Sequence, residues 1–373
     1  MKIVFFTGHI AGEPRKATVT LLADSFVELG WDVRIVTLGY SWLTILKGNS
    51  RHAHAKTLTP NVWYSSRPLL KGYLQRTMLG PSRLPARWLN NLAKPFFRRY
   101  CDHLPSAVGA EIKDADVVVI ESGPGLLLMK TLKRLMPRAR FVYMVCDRLT
   151  TLRVNPVIMD AEKMHEAAFD LIVSPSSSIV DDFPNHPHRR FLPQGVETRL
   201  FDQPAQNPYP RLKNIVSVGD MLFHEEAVLT LARENPDWNV HLFGGRARCS
   251  QALPNIVTHG ETPFSDIVPY IKYADIGLAP YRPAPGVEYI SQSSLKLKQY
   301  TYARLPILAP AFAGGVYPNI VPYDPHQLDS MSPALTRAAA LDHSAIVNSD
   351  IQSWPQIAQD FIGALEQVPE RHA

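Results

Sequence analysis

Three carboxylates stand at the ends of apolar runs that have the composition of buried β-strands. Asp147 follows RFVYMVC, Glu121 closes DVVVIE and Glu261 follows NIVTHG. A side chain at the carboxyl end of a parallel strand faces the edge where such sheets bind ligands. Asp147 could therefore accept a proton from a substrate hydroxyl, although an aspartate that caps the following turn is the alternative. Glu121 suits a structural or acceptor-positioning role, and Glu261 could accept hydrogen bonds from a ribose.

A helix start in the second half of the chain has the residues to bind phosphate. Ser293 and Ser294 are good N-cap residues for LKLKQY, and the free backbone N–H groups at a helix start bind phosphate. Lys296 and Gln299 are three residues apart and share a face of that helix. Lys296 opposes the helix dipole, so a bound anion would relieve the conflict. A solvated helical face is the alternative.

Further candidate ligand-binding residues follow other strand-like runs. Met221 comes after NIVSVGD, where its thioether could pack on a nucleobase, with core filling as the alternative. His9 follows KIVFFT and precedes Arg15 and Lys16, which predicts that they lie at the same edge of a sheet.

Two observations narrow the class of enzyme. The chain has no G-x-G-x-x-G and no Walker A pattern, which argues against dinucleotide oxidoreductases and P-loop enzymes. The triplet DAD at 114–116 matches the D-x-D of metal-dependent sugar transferases, but it leads directly into the run 116–121. A metal-binding role for it is therefore not favoured, and we expect no metal site.

Short apolar runs alternate with helix-length segments along the whole chain. The runs lack a clean apolar–polar alternation, which is typical of strands that are covered on both faces of a parallel sheet. Alternation of strands and helices predicts right-handed crossovers between parallel strands. The predicted strands are residues 2–7, 32–38, 116–121, 140–146, 171–174 and 190–192, then 214–218, 239–243, 255–258, 276–279 and 306–309.

A cluster of prolines predicts a linker at 195–213, formed around Pro193, Pro204, Pro208 and Pro210. The predicted fold class is α/β, with two doubly wound, Rossmann-like domains that face each other across a ligand-binding cleft. We assign residues 1–200 to the first domain and 201–350 to the second. The helix predicted in 351–373 could cross back to the first domain.

Charge is distributed unevenly over the 373 residues. Between Val33 and Cys101 there is no acidic residue and there are twelve Lys or Arg, so this basic stretch alone carries +12. Because the chain as a whole carries +5, the remainder sums to −7. Nine aromatic residues are interleaved with the positive charges. Such a stretch implies an anionic partner: a membrane surface, a nucleic acid or a phosphorylated substrate.

Part of the basic stretch, residues 87–100, has the pattern of a helix that lies in a membrane interface. Pro95 would kink or restart this helix. The alternative is a surface helix that packs its apolar face on the domain core. The predicted apolar face comprises Trp88, Leu89, Leu92 and Phe96, and the basic residues of the segment are Lys94, Arg98 and Arg99.

The cysteines and the hydrophobic runs predict a cytoplasmic protein. Three widely spaced cysteines form no C-x-x-C pair, which excludes a disulfide scaffold and a thiolate zinc site. The first apolar run is too short for a signal peptide, and four prolines interrupt the uncharged stretch 305–323.

Taken together, these motifs resemble the GumK-type β-glucuronosyltransferases of xanthan-like exopolysaccharide assembly, which are inverting enzymes with the GT-B fold. Several short motifs in the right order are far more specific than any one alone. The matching pieces are His9 with 14–17, 121–123, Asp147 with Thr151, 218–219 with 221–223, 260–261, 279–281, 293–297 and 299–300.

The resemblance implies a transferase that uses UDP-glucuronate as donor and no cofactor or metal ion. Glu261 and Met221 would hold the uridine, Tyr281 would line the sugar pocket and Gln299 would bond the phosphates or the sugar. Lys296 and the helix start at Ser293 and Ser294 would stabilise the departing diphosphate. Lys296 or Arg282 could meet the glucuronate carboxylate.

On the acceptor side, the resemblance implies a polyprenyl-diphosphate-linked oligosaccharide at the inner face of the membrane, with Asp147 as general base. His9, Arg15 and Glu121 would lie near this acceptor. Arg148 departs from the family's pattern, in which a small residue follows the aspartate. A guanidinium beside Asp147 would lower the pKa of that carboxyl, or else contact an anionic acceptor.

Three other functions are alternatives to a UDP-glucuronate transferase. Two of them are enzymes: a transferase of the same fold that uses another UDP-sugar, and a nucleotide-sugar epimerase that needs no acceptor. A nucleic-acid-binding protein would explain the basic stretch, but not the donor-like residues of the second domain. We therefore expect an anionic inner membrane surface, and no nucleic acid, as the partner of the basic stretch.

Overall fold

The computed structural model of the protein describes residues 1–13, 16–42, 54–78, 80–81, 83–84, 86–100, 104–152 and 154–369. The chain divides into two compact units. The first comprises Met1–Pro193 and Ile357–Ala373, and the second comprises Gln194–Gln356.

An eight-stranded sheet forms the frame of the first unit, in the order β3-β4-β2-β1-β5-β6-β7-β8. Its strands are β1 (Lys2–Thr7), β2 (Asp32–Ser41), β3 (Trp63–Arg67), β4 (Leu70–Thr77), β5 (Val117–Glu121), β6 (Arg140–Met144), β7 (Leu171–Ser174) and β8 (Arg189–Phe191). Its helices are α1 (Thr18–Glu28), α2 (Arg87–Arg99), α3 (Ser106–Ile112), α4 (Met129–Leu135), α5 (Pro156–His165) and α6 (Ser177–Val180).

The central strands of this sheet are buried on both faces. Ile3, Val4, Phe5 and Phe6 of β1 are fully inaccessible to solvent. β1 pairs in parallel with β2 on one side and with β5 on the other. The interpretation of unbroken apolar runs as parallel strands covered by helices is therefore correct here.

Two strands inside the basic stretch were not predicted. β3 pairs antiparallel to β4, while β4 pairs in parallel with β2. Leu69 makes the turn between them with a positive φ of 64°. β3 is the edge strand, and its residues Ser65–Arg67 are exposed. Because an edge strand needs little apolar surface, WYSSR has no run that would identify it.

The second unit is built on a six-stranded parallel sheet, in the order β11-β10-β9-β12-β13-β14. Its strands are β9 (Asn214–Val218), β10 (Asn239–Phe243), β11 (Ile256–Gly260), β12 (Ile276–Leu278), β13 (Ile307–Pro310) and β14 (Ile320–Tyr323). Its helices are α7 (Thr198–Asp202), α8 (Glu225–Glu234), α9 (Phe264–Tyr273), α10 (Ile290–Ser293), α11 (Leu295–Tyr302) and α12 (Met331–Ala339). Helix α13 (Trp354–Glu366) carries the chain back into the first unit.

Strand β14 was also missed from the sequence, because Pro322 lies within it. Proline cannot donate to a sheet ladder, and it is tolerated here because β14 is an edge strand whose Pro322 is exposed. The other predicted strands of this unit agree with the structure to within one or two residues. Short 3₁₀ helices complete the described chain, at His54–Thr57, Pro124–Leu128, Glu166–Ala168, Ala311–Ala313, Leu328–Ser330 and His343–Ala345.

The end of the chain packs on the first unit. Phe361 of α13 meets Phe26 of α1 edge to face, with ring centroids 5.5 Å apart. The guanidinium of Arg140 donates to the backbone oxygens of Leu365 and Val368. These contacts attach residues beyond Ile357 to the first sheet.

Gly277 in β12 has no room for a side chain. A Cβ there would lie 2.5 Å from Cδ2 of Tyr300, whose hydroxyl accepts a hydrogen bond from the Val218 N–H at 2.8 Å. We expect Gly277→Ala to lower the free energy of unfolding by about 1–3 kcal/mol, because the buried ring must shift. Urea unfolding followed by circular dichroism measures the change.

Gly363→Ala is the matched control, because a Cβ in that part of α13 meets nothing within 4 Å. We expect it to raise the free energy of unfolding by about 0.5–1 kcal/mol, since alanine favours a helix over glycine. Equal effects of the two substitutions would contradict the packing argument.

Candidate functional site

Sheet order brings the acceptor-side candidates of the first unit together. β1, β5 and β6 are consecutive neighbours and run parallel, so their carboxyl ends share one edge. His9 follows β1, Glu121 ends β5 and Asp147 follows β6. Three residues that are up to 138 positions apart in the chain thus lie at adjacent strand ends.

Hydrogen bonds connect His9 to Glu121 through Thr7, and they connect His9 directly to a residue that the sequence analysis did not consider, Glu13. The Thr7 hydroxyl donates to Glu121, and His9 Nε2 lies 3.8 Å from Glu121 Oε1. On its other side, His9 Nδ1 lies 3.2 Å from Glu13 Oε1, which also accepts from the Ile10 N–H at 3.1 Å. The imidazole therefore has a carboxylate near each ring nitrogen, at hydrogen-bond distance on the Glu13 side and at ion-pair distance on the Glu121 side. The i, i+4 spacing of His9 and Glu13 was a usable signal.

Asp147 is half-buried in the turn that follows β6. The pKa of the neighbouring Cys146 thiol shows which charges lie nearby. Burial raises this pKa well above its ordinary value, and the charges of Glu121 and Asp147 raise it further. Both carboxylates thus lie close to one thiol. An acidic edge of this kind can accept a proton from a hydroxyl.

The guanidinium of Arg148 is bonded to a carboxylate of helix α6's C-terminal turn. Its Nε donates to Asp182 Oδ2 at 2.6 Å, and its Nη2 donates to Asp182 Oδ1 at 3.2 Å and to the Ser178 carbonyl at 3.0 Å. Arg148 therefore forms a bidentate pair with Asp182, and its expected effect on Asp147 stays a prediction. Arg15, the other basic candidate, lies outside the described residues.

The donor-side candidates of the second unit gather at the start of α11. The helix begins at Leu295, and of the two predicted N-cap residues Ser294 caps it, accepting from the Leu297 N–H at 3.4 Å, whereas Ser293 ends the preceding helix α10. The Ser294 and Tyr281 hydroxyl oxygens are 2.5 Å apart. Lys296 Nζ lies 4.8 Å from the centre of the Tyr281 ring. Gln299 follows in the same helix and is buried.

Lys296 is held in a half-buried position at the end of β9. Burial lowers the pKa of its ammonium to about 8, and the nearby charge of Asp220 partly offsets this effect. A Cβ at Gly219 would lie 3.9 Å from Lys296 Nζ, so glycine allows the ammonium to approach the strand end. A poorly hydrated cation beside free helix N–H groups is suited to an anion.

Two further candidates lie at neighbouring strand ends of the same sheet. Glu261 follows β11, and its Oε2 accepts from the Gly245 N–H beyond β10 at 3.0 Å. Met221 follows β9 with 39% of its surface exposed, so the core-filling alternative is wrong for it. Ser293 is buried, and its carbonyl accepts from Gln194 Nε2 at 2.5 Å.

Helix α2 exposes three of the four apolar side chains that the sequence analysis placed on one face, and the fourth, Leu89, is half-buried. Trp88, Leu92 and Phe96 are 63%, 71% and 54% exposed, whereas Phe97 on another face is buried. Their side chains therefore do not pack on the core, which contradicts the alternative of an apolar face packed inward. Pro95 lies inside a single continuous helix rather than at a restart.

Of the basic residues of α2, the structure describes the contacts of Lys94. Lys94 Nζ donates to Asp160 Oδ2 of α5 at 2.8 Å, which ties the helix to the body of the first unit. Arg98 and Arg99 are the last two positions of α2, and their side chains lie outside the described set.

The D-x-D triplet has a structural role. The carboxylates of Asp114 and Asp116 accept from Lys2, from its ammonium and its backbone N–H respectively, each at 2.7 Å. Within the described residues, no three His, Cys, Asp or Glu side chains are grouped so that they could hold a metal ion. No described helix is long and apolar enough to cross a membrane.

Comparison with known proteins agrees with the motifs. Residues 5–175 match the family described as Glucuronosyltransferase GumK, N-terminal domain. The UDP-glucuronate:glycolipid 2-beta-glucuronosyltransferase of Xanthomonas campestris pv. campestris is 28% identical over 333 residues, which are 89% of this chain and 82% of that protein. The resemblance to the GumK-type enzymes is confirmed.

Solved structures establish the fold. The sucrose-phosphate synthase of Thermosynechococcus elongatus aligns with a TM-score of 0.69 at 14% identity, covering 98% of this chain and 99% of its own. The trehalose-6-phosphate synthase OtsA aligns with a TM-score of 0.64 at 12% identity, covering 99% and 100%. These two glycosyltransferases share the GT-B fold, which confirms the predicted fold class.

The buried position of the Lys296 ammonium should lower the free energy of unfolding of the protein without ligand. Because its pKa is about 8 when folded and 10.5 for a free side chain, the folded state disfavours the charged ammonium at pH 7. We expect Lys296→Met to raise the free energy of unfolding at neutral pH by roughly 1–3 kcal/mol. As pH rises from 8 to 10.5, folded wild type releases its proton before the unfolded chain does. Wild-type stability therefore rises, and the variant's advantage shrinks.

Urea unfolding at pH 7 and at about pH 9.5 measures this effect. Lys213→Met is the control, because the Lys213 ammonium is exposed and forms a surface ion pair with Asp237. An advantage of Lys296→Met that is equal at both pH values would contradict the effect of burial on the ammonium.

Proposed function

We propose, from the match of residues 5–175 to the GumK N-terminal domain and from the two strand-end clusters, that this glycosyltransferase moves glucuronate from UDP-glucuronate to a polyprenyl-diphosphate-linked oligosaccharide. The name of the relative at 28% identity states UDP-glucuronate as its donor and a glycolipid as its acceptor. The observation that carries the proposal is the grouping of Lys296, Tyr281 and Ser294 at a capped helix start. This grouping has the charge and the hydrogen-bond donors that a nucleotide diphosphate requires.

The donor is bound by the second unit in this proposal. The Lys296 ammonium and the N–H groups of α11 stabilise the negative charge that develops on the departing diphosphate. Glu261 and Met221 hold the uridine, Tyr281 lines the sugar pocket, and Gln299 lies one turn further along α11. Because Lys296 and the helix start supply the positive charge, the reaction as proposed uses no metal ion or other cofactor.

The acceptor is bound by the first unit, with Asp147 as general base. The acceptor hydroxyl oxygen attacks the anomeric carbon from the face opposite UDP, and the bond from that carbon to the diphosphate oxygen breaks. The hydroxyl proton passes to the Asp147 carboxylate. Because a single displacement from the opposite face makes and breaks these bonds, the configuration of the anomeric carbon is inverted. His9, Glu121 and Arg15 are proposed to orient the acceptor, and Arg148 to hold the loop through its bidentate pair with Asp182.

Asp147→Asn should abolish transfer and leave nucleotide binding intact. The amide keeps the shape of the side chain but cannot take a proton, so we expect the turnover number to fall by about 10²–10⁴-fold. The affinity for UDP, measured by calorimetry, should remain near that of wild type. Asp181→Asn, on the exposed surface of the same unit, is the control. Transfer that survives at more than a few per cent would exclude Asp147 as the base.

Helix α2 is proposed to dock the first unit on the membrane that holds the acceptor. Trp88, Leu92 and Phe96 form an exposed apolar stripe at i, i+4 and i+8, within the stretch that has no acidic residue. Each Lys or Arg near an anionic leaflet contributes about 1 kcal/mol, so the basic stretch favours the inner leaflet. Because Lys94 is paired with Asp160, other cations of the stretch would supply this attraction. The enzyme would then work on the cytoplasmic side, as a peripheral membrane protein.

Flotation with liposomes tests the docking proposal. We expect wild type to float with anionic vesicles and the triple variant Trp88→Ser, Leu92→Ser, Phe96→Ser to stay in solution, because each apolar side chain contributes about 1.5–3 kcal/mol on burial. Leu212→Ser is the control, since Leu212 is exposed but lies in the other unit. Wild-type flotation that does not depend on anionic lipid would contradict the role of the basic stretch.

A further inference from the structure

A second cluster of cations lines a cavity at the carboxyl edge of the second sheet. The cavity has a volume of about 430 Å³ and lies where the segments after β9, β10 and β12 meet. Three arginines line it: Arg246 and Arg248 from the segment after β10, and Arg282 from the segment after β12. The cavity is large enough for a monosaccharide, and its charge suits an anionic one.

Two acids also line the cavity, but both are bonded to neighbours. Asp220 is almost inaccessible to solvent, and its Oδ2 accepts from the Arg246 backbone N–H at 3.1 Å and from Arg246 Nε at 3.4 Å. Glu225 Oε1 accepts from the N–H and from the hydroxyl of Ser250, each at 2.5 Å. The acids thus orient the walls of the cavity.

Arg248 and Arg282 carry the positive charge of the lining that no carboxylate balances. Across the described ranges of the chain, neither guanidinium has a carboxylate within 4.0 Å, and both residues are exposed. With three guanidinium groups against two carboxylates, the lining has a net positive charge. Such a lining favours an anionic ligand over a neutral one of the same shape.

The backbone around Arg282 is fixed by a strained segment. The Arg282 N–H donates to the Leu222 carbonyl at 2.7 Å, and the His224 N–H donates to the Pro280 carbonyl at 2.8 Å. Leu222 is held at a φ of +51°, in the left-handed region that disfavours a leucine. Strain of this kind persists only where the surroundings enforce it, and it concentrates at functional sites.

The cavity adjoins the donor cluster through residues that are consecutive in the chain. Arg282 directly follows Tyr281, whose ring lies 4.8 Å from Lys296 Nζ. Asp220 directly follows Gly219, the glycine against which Lys296 Nζ is placed. One buried carboxylate, that of Asp220, therefore lies between the Arg246 guanidinium and the Lys296 ammonium.

We infer that this cavity receives the glucuronate ring of the donor, and that Arg246, Arg248 and Arg282 bind its carboxylate. The inference rests on the proposed function and names the residues that select the sugar. A planar guanidinium matches a carboxylate with two parallel N–H···O bonds. A neutral hexose in the same place would leave the cations without a partner. The diphosphate needs no arginine here, because Lys296 and the α11 start are available to it.

Calorimetry on the full chain with UDP, UDP-glucose and UDP-glucuronate tests this inference. We expect wild type to bind UDP-glucuronate about tenfold or more tightly than UDP-glucose, since a bond between charged groups separates the two sugars. In Arg248→Ala and Arg282→Ala this preference should fall to within about threefold, while the affinity for UDP stays within about twofold of wild type. Arg211→Ala, an exposed arginine outside the cavity, should keep the full preference.

The possible outcomes separate the inference from the proposed function. If wild type binds no UDP at all, the proposed function fails. If wild type binds UDP but prefers neither sugar, the cavity does not bind the carboxylate. The same holds if both variants keep the preference for UDP-glucuronate. A loss of UDP affinity in the variants, with circular dichroism and melting temperature unchanged, would assign the arginines to the diphosphate and overturn the inference.

Discussion

Parallel pairing of buried strands is the constraint on which the rest of the structure depends. Since β1, β5 and β6 run in one direction in register, their carboxyl ends must lie at one edge, and so must the residues that follow them. His9, Glu121 and Asp147 are brought together in this way. The second sheet does the same for Met221, Glu261 and Tyr281. Neither group is close in sequence, and both depend on central strands whose side chains are buried.

Two features of the second unit, the Lys296 ammonium and the Leu222 backbone, lower the free energy of unfolding. Packing elsewhere in the unit offsets this loss. Lys296 holds a poorly hydrated charge, and Leu222 adopts a backbone conformation that disfavours its side chain. Against these, the ring of Tyr300 fills the space over Gly277 and its hydroxyl bonds the end of β9. The same helix, α11, thus carries both the destabilising lysine and the tyrosine that fixes its position.

Helix α2 shows a related conflict on the surface of the first unit. An exposed row of Trp88, Leu92 and Phe96 is unfavourable in water, yet the helix is anchored by Phe97 in the core and by Lys94 on Asp160. Anchoring one face while exposing an apolar one is the arrangement that an interfacial helix requires. The donor-side charges lie in the other unit, so the proposed docking helix and the proposed donor site are in separate parts of the chain.

The sequence by itself determined the fold class, most of the strands and the helix start at Ser294, because unbroken apolar runs and N-cap residues are local signals. It also identified the resemblance to the GumK-type enzymes through short motifs in order. It missed β3 and β4 in the basic stretch, where β3 is an exposed edge strand, and β14, which contains Pro322. Only the tertiary structure decided that Arg148 pairs with Asp182 and that Arg246, Arg248 and Arg282 share one cavity. These are contacts between residues on different elements, and no local pattern encodes the sheet order that brings them together.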